Sequence, residues 1–204
     1  FNSPYQATGI IDFWRRWHVS LSGWLRDYVY VPLGGNRLGE FRRFRNLMVT
    51  MLLGGLWHGA SWMFVLWGGL HGCFLVAERV ISSQLSATFT MTRGKERALQ
   101  ILVFVLVSLT WIPFRAPDQD AALAVVSTLL RSDMVAPMSD VSGLLAMLAM
   151  IATVAWHMFL RERRLERVLA EWGIAWQTVA ATCCLLCLFL FSGGDQRAFI
   201  YFQF

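Results

Sequence analysis

Charge is scarce in this chain. Asp, Glu, Lys and Arg make up 15% of its 204 residues, where a soluble domain carries about a quarter. From Leu47 to Ala77 there is no charged residue at all. A membrane crossing needs roughly 20 apolar residues, so this run is long enough for one, and it argues against a soluble scaffold. Cysteine is also sparse: Cys73, Cys183, Cys184 and Cys187 all lie in apolar runs. Cys184-x-x-Cys187 has redox or zinc spacing but no second ligand pair, which leaves packing in lipid as its role. No H-E-x-x-H is present, and no metal is expected. Phosphate-cradling glycine loops, dinucleotide fingerprints and G-x-S-x-G elbows are missing too, excluding the commonest nucleotide-binding and hydrolase designs. The chain opens at Phe1 without an initiator Met or a signal-peptide pattern, so it is expected to be a fragment or to have had its N-terminal part removed.

What is present is apolar and aromatic: 56% hydrophobic residues, with Trp 10 and Phe 15. The reading is an all-α, polytopic integral membrane protein, with residues 1–204 as a single membrane domain and the lipid bilayer as its first partner. The net charge of +5 is no nucleic-acid signature, because the basic residues flank apolar runs as juxtamembrane arginines do. No nucleic acid is expected as a partner.

Residues 12–45 read as an interfacial helix followed by a basic loop. Phe13, Trp17, Leu21, Trp24 and Tyr28 recur at helical spacing, Asp12 is a candidate cap, and Asp12, Arg15, Arg16 and Asp27 interrupt any spanning run. Pro32–Asn36 marks a turn, and Arg37–Arg45 reads as a basic loop. Residues 46–78 form a histidine-bearing membrane segment, either one long helix or a broken pair, with Gly54, Gly55 and Gly59 offering the break. Residues 98–114, 141–160 and 174–191 read as transmembrane helices. The stretches 80–97 and 115–140 read as connections, and no internal repeat is visible.

Lys/Arg asymmetry gives the orientation. The stretch 161–167 (RERRLER) belongs in the cytoplasm, 115–140 outside, and 79–97 inside again. The basic stretch 37–45 also belongs inside. Both ends of the 46–78 segment then lie on one side, which requires a re-entrant or broken element with its bend near His58. Non-helical backbone at that depth is tolerated only against protein or a water-lined cavity.

His58 is therefore the leading candidate for chemistry, since an ionisable group at membrane depth is expensive and usually works. A neutral imidazole can take a proton from a hydroxyl and return it; the alternative is a histidine bonded to a neighbouring helix for packing. His18, beside Trp14-Arg15-Arg16-Trp17, is either a second catalytic group or an interfacial residue among snorkelling arginines. His71 is not in helical register with His58 and has no carboxylate nearby in sequence, and His157 reads as a belt residue. Arg15, Arg16, Arg26, Arg37, Arg42, Arg43 and Arg45 could hold an anionic donor, or simply express positive-inside bias.

Together these residues resemble a family. Asp12–Ser22 (DFWRRWHVSLS), Trp24–Tyr28 (WLRDY) and Pro32–Arg37 (PLGGNR) are similar to the signature of membrane-bound O-acyltransferases. Gly54–Trp62 (GGLWHGASW) and Leu66–Gly72 (LWGGLHG) continue it. The match is dense over residues 1–79 and looser from 80 to 198. Phe199–Phe204 resembles the C-terminus of the alginate O-acetylation branch. The resemblance implies helices around a tunnel through a bacterial cytoplasmic (inner) membrane, crossed several times. It implies acyl transfer from a cytoplasmic donor to an extracytoplasmic acceptor, with His58 and His18 as the catalytic pair. Arg15, Arg16, Trp17, Arg26, Asp27, Asn36, Trp57 and Trp62, all within these motifs, are the candidate substrate-binding residues. No cofactor is expected; acetyl-CoA or a related acyl donor enters as substrate. The acceptor is a polysaccharide such as alginate, reached through periplasmic acetyltransfer partner proteins. Alternatives are D-alanyl or other acyl transfer to a different envelope glycan, or a non-catalytic transporter or scaffold of a polysaccharide export complex.

Overall fold

A computed structural model describes residues 2–37, 39–84, 91–131, 147–148, 151–155 and 165–191. The chain divides into two units, Phe1–Phe159 and Leu160–Phe204. All regular structure among the described residues is helical. In the first unit a 3₁₀ turn at Pro4–Gln6 leads to α1 (Ile10–Arg16), α2 (Val19–Leu25) and a π turn at Arg26–Tyr30. Then come α3 (Glu40–Leu56), α4 (Trp62–Gln84), α5 (Arg93–Arg115) and α6 (Gln119–Leu130). The second unit contributes α7 (Leu165–Ala170) and α8 (Ile174–Phe191). Their turn is closed by the Gln177 amide, which donates to the Leu169 and Trp172 carbonyls at 3.0 and 2.9 Å.

The apolar face expected over residues 12–30 is not one face, because the run is not one helix. α1 ends at Arg16, and His18 adopts a left-handed backbone, φ 39° and ψ 56°, before α2 begins. That reversal resets the helical phase. Phe13 and Leu21 are buried, whereas Trp24 and Tyr28 are exposed. The cap of α1 is not Asp12, which lies inside the first turn and pairs with Arg16 at 2.9 Å. The Ile11 N–H instead donates to Glu78 of α4 at 3.0 Å, placing a carboxylate on the positive end of a helix.

Arg37–Arg45 is not a loop throughout: helix begins at Glu40, so Arg42, Arg43 and Arg45 ride on the first turns of α3. Asn46, fully buried, fixes this entry. Its amide donates to the Leu33 and Gly35 carbonyls at 3.0 and 3.2 Å, and its oxygen accepts from Arg45. The 115–140 connection likewise contains α6, capped by Asp118, which accepts from the Ala121 N–H at 2.8 Å.

α3 and α4 form an antiparallel hairpin. Small residues let their backbones meet, as in membrane helix pairs generally. A Cβ on Gly55 would strike the Phe64 carbonyl, and one on Gly68 the Met51 carbonyl; one on Gly72 would lie 2.7 Å from the Met48 sulfur. α1 and α5 pack against this pair, around Ile10, Phe13, Met51, Leu75, Val103 and Val107. α4 and α5 are the two described helices long and apolar enough to cross a membrane, with mean hydropathy 1.4 and 1.8. The 141–160 segment and the aromatic tail at 199–204 lie largely or wholly outside the described residues, as does His157.

Candidate active site

The site is built at the tip of the α3–α4 hairpin. α3 stops at Leu56, the Trp57, His58 and Gly59 amides close the turn onto the Leu53, Gly55 and Leu56 carbonyls, and Ser61 Oγ accepts the Met63 N–H to start α4. Gly59 is required there. Its φ is 149°, and a Cβ would lie 2.8 Å from the Phe64 ring. His58 thus sits on a short non-helical link between two helix ends.

His58 is 9% exposed and walled by ring edges. Trp67, Phe114, Trp57 and Phe64 have centroids 5.4, 5.0, 5.5 and 6.2 Å from its own. Phe114 comes from α5, next to Pro113, which cannot donate to the Leu109 carbonyl and so weakens the helix just beside the site. His18 lies close enough to His58 for the charge of one to be felt at the other. Its Nδ1 accepts the Leu21 N–H at 3.3 Å, capping α2. In a neutral His18 the proton is therefore on Nε2. A non-glycine residue in the left-handed region costs about 1–3 kcal/mol, and such strain gathers at functional sites.

The other sequence candidates divide. Trp17 lies behind the wall, stacked on Phe13 at 5.6 Å and tilted against Trp111 at 5.4 Å, and Trp111 in turn packs on Phe114 at 5.0 Å. Trp57 and Trp62 flank the turn and are exposed, by 48% and 82%. Arg16 is paired with Asp12, and Arg26 with Asp27 at 2.8 Å. That guanidinium holds the Asp27 carboxyl below the usual carboxylate range. Asn36 accepts the Tyr30 hydroxyl at 2.7 Å and shapes the turn before α3. Arg15, Arg37 and Arg42 have no acidic partner among the described residues.

Sequence reasoning missed the residues behind the wall. His71, on α4, is 1% exposed. Its Nδ1 accepts the Trp14 indole N–H at 3.3 Å, and its Nε2 lies 3.0 Å from Thr110 Oγ1, whose own hydroxyl donates to the Val107 carbonyl at 2.6 Å. Indole is only a donor, and the one hydroxyl proton of Thr110 is spent on Val107. His71 is therefore the neutral Nε2–H tautomer. These partners come from α1 and α5, so no local spacing around His71 betrays them. A threonine within the apolar run of α5 was the one available signal. Beyond Phe13 and Trp111 lies a cavity of about 290 Å³, lined by Tyr5, Gln100, Val103, Phe104 and Val107 among others. Among the described residues no group of three or more His, Cys, Asp and Glu could hold a metal.

Comparison with known proteins adds the following. A family model described as the membrane-bound O-acyltransferase family matches residues 1–114. A probable alginate O-acetylase of Azotobacter vinelandii is 50% identical over 123 residues, 60% of this chain and 23% of that protein. The peptidoglycan O-acetyltransferase of Helicobacter pylori is 47% identical over 126 residues, 62% of this chain and 24% of that protein. The teichoic acid D-alanyltransferase of Streptococcus thermophilus is 34% identical over 83 residues, 37% of this chain and 20% of that protein. The chain spans about a quarter of the length of the first two.

Proposed function

The chain belongs to the membrane-bound O-acyltransferase family, and from that premise we propose that it transfers an acetyl group to an acceptor hydroxyl within the membrane, on the way to a cell-envelope glycan, with His58 as general base. The observation that carries this reading is the placement of His58: a buried imidazole on a helix break, walled by aromatics, with a second imidazole in electrostatic range. His58 takes the proton from the acceptor hydroxyl while the oxygen bonds to the acyl carbon. The thioester C–S bond breaks, and the leaving thiolate recovers the proton. His18, the second imidazole, bonds the acyl carbonyl oxygen as negative charge grows on it. The aromatic wall limits hydrolysis by excluding water.

Helix length supports a bend inside the membrane. At 1.5 Å per residue, the apolar part of α3 between Arg45 and Leu56 extends about 17 Å, little more than half of a hydrocarbon core of about 30 Å. With the basic start of α3 at the cytoplasmic surface, His58 lies within the bilayer, reached by a donor from that side. Arg15, Arg37 and Arg42 would meet the phosphates of an acetyl-CoA-type donor. Acetyl is favoured over D-alanyl because the two acetyltransferase relatives are 50% and 47% identical and the D-alanyltransferase 34%. Their near-equality leaves the acceptor as a cell-envelope glycan, alginate or peptidoglycan, outside a bacterial inner membrane crossed several times, with periplasmic proteins completing the transfer.

The deciding experiment measures base-labile acetate on envelope glycan from cells with the gene, without it, and with His58→Ala. Loss in both altered strains, with the variant still inserted, is the expected result. Full acetylation by His58→Ala removes it from the mechanism.

A further inference from the structure

His71 has no nitrogen to spare for chemistry, since Nδ1 is occupied by Trp14 and Nε2–H by Thr110. Its packing points to another task. Trp67, one helical turn earlier on α4, is 2% exposed and lies between the two imidazoles. Its ring centroid is 4.7 Å from that of His71 and 5.4 Å from that of His58. The plane of Trp67 is nearly perpendicular to that of His58, at 89°. Trp14, Trp111 and Phe114 close the remaining sides at 5.8, 6.2 and 5.2 Å. In so close a packing, a change in the His71 ring is passed to Trp67, and from Trp67 to His58.

We propose that His71 is a positioning residue for acyl transfer: fixed as one tautomer by Trp14 and Thr110, it holds the plane of Trp67, which holds the plane of His58. α1 and α5 thereby set the geometry of a side chain they do not carry. The inference rests on His58 being the base, and it adds Trp67, Thr110 and Trp14 to the machinery.

The test uses membranes from cells expressing the protein as its genome encodes it, with acetyl-CoA as donor probe and glycan O-acetyl ester as product. Rates are expressed per folded molecule, counted by size-exclusion after solubilisation. Thr110→Val keeps the volume of the side chain and removes the acceptor of Nε2–H; His71→Ala removes the ring; His71→Gln keeps an N–H that can reach Thr110. Misplacing a reacting group by about 1 Å costs up to about 100-fold, so His71→Ala and Thr110→Val are expected to lower kcat by about tenfold with the KM for acetyl-CoA unchanged. His71→Gln is expected to restore most of it. A wild-type rate per folded molecule in Thr110→Val overturns the proposal, as does an effect confined to KM. If His71→Ala does not fold, Thr110→Val decides alone. His58→Ala run in parallel separates the two readings. If it is fully active, the general-base assignment falls; if it is inactive while Thr110→Val is normal, only the positioning role falls.

Discussion

Two histidines share α4 and its approach, and they are built in opposite ways. His71 sits within a helix, with both ring nitrogens bonded to neighbouring helices and its tautomer fixed. His58 sits on a link between helices, surrounded by aromatic rings and within electrostatic range of a second imidazole. The first arrangement fixes the ring in one plane and one tautomer, because a donor meets Nδ1 and an acceptor meets Nε2–H. The second holds the imidazole by ring packing on a break between helices, beside a second imidazole. A histidine at membrane depth is thus no single signal: whether it stands inside a helix or on a break between helices has to be known as well.

The hairpin that carries both histidines offers the largest effect. A Cβ on Gly68 would collide with the Met51 carbonyl, which cannot move without moving α3. Gly68→Ala is expected to lose more than about 3 kcal/mol, at the upper end of overpacking costs, and to disorder both histidine environments together. Gly72→Ala meets the Met48 side chain first, with the Met48 Cα no nearer than 3.4 Å, and is expected to cost about 1 kcal/mol after the side chain turns away. Solubilised yield and melting temperature of the two variants check this. Equal losses would mean that the two helices do not meet backbone to backbone near Gly68.

The next effect separates the roles of His18. Asparagine tolerates the left-handed region and caps helices as well as any residue. His18→Asn should therefore match the wild type in stability within about 0.5 kcal/mol, yet transfer acetyl about 100- to 1,000-fold more slowly, as expected for loss of one donor to a developing oxyanion. Unchanged transfer would assign His18 to capping alone and leave His58 without a chemical partner.

Much of this could be read from the sequence, for physical reasons that differ by element. The 47–77 run announced itself because absence of charge over such a length has few explanations, and Gly59 within it marked where the helix breaks. His58 was legible because its neighbours in space include its neighbours in sequence, Trp57 and Phe64. The 12–30 run misled because one positive φ at His18 breaks the periodicity, and histidine, although it adopts that conformation more readily than most side chains, signals it far less than glycine does. His71 was set aside because its meaning lies in Trp14 and Thr110, which only the packing of α1 and α5 against α4 brings to it.

The smallest effect belongs to Asp27, which shares the signature with His18 yet lies outside both histidine environments. Its carboxylate accepts two hydrogen bonds from Arg26, and the two side chains are 54% and 67% exposed. Arg26 lowers its pKa. The stabilisation is therefore complete above the ordinary carboxylate value of about 4, and is lost only as pH falls through the lowered one. Between pH 5 and 8 the pair contributes the same amount at every pH, and solvent keeps that amount small. Asp27→Asn is expected to leave the melting temperature unchanged and pH-independent across that range. If it nevertheless raises the KM for the donor, the freed Arg26 is not a spectator: a residue that pairs with its neighbour at rest would be one the substrate recruits. Then the machinery would reach beyond the two histidines to the surface turn before α3.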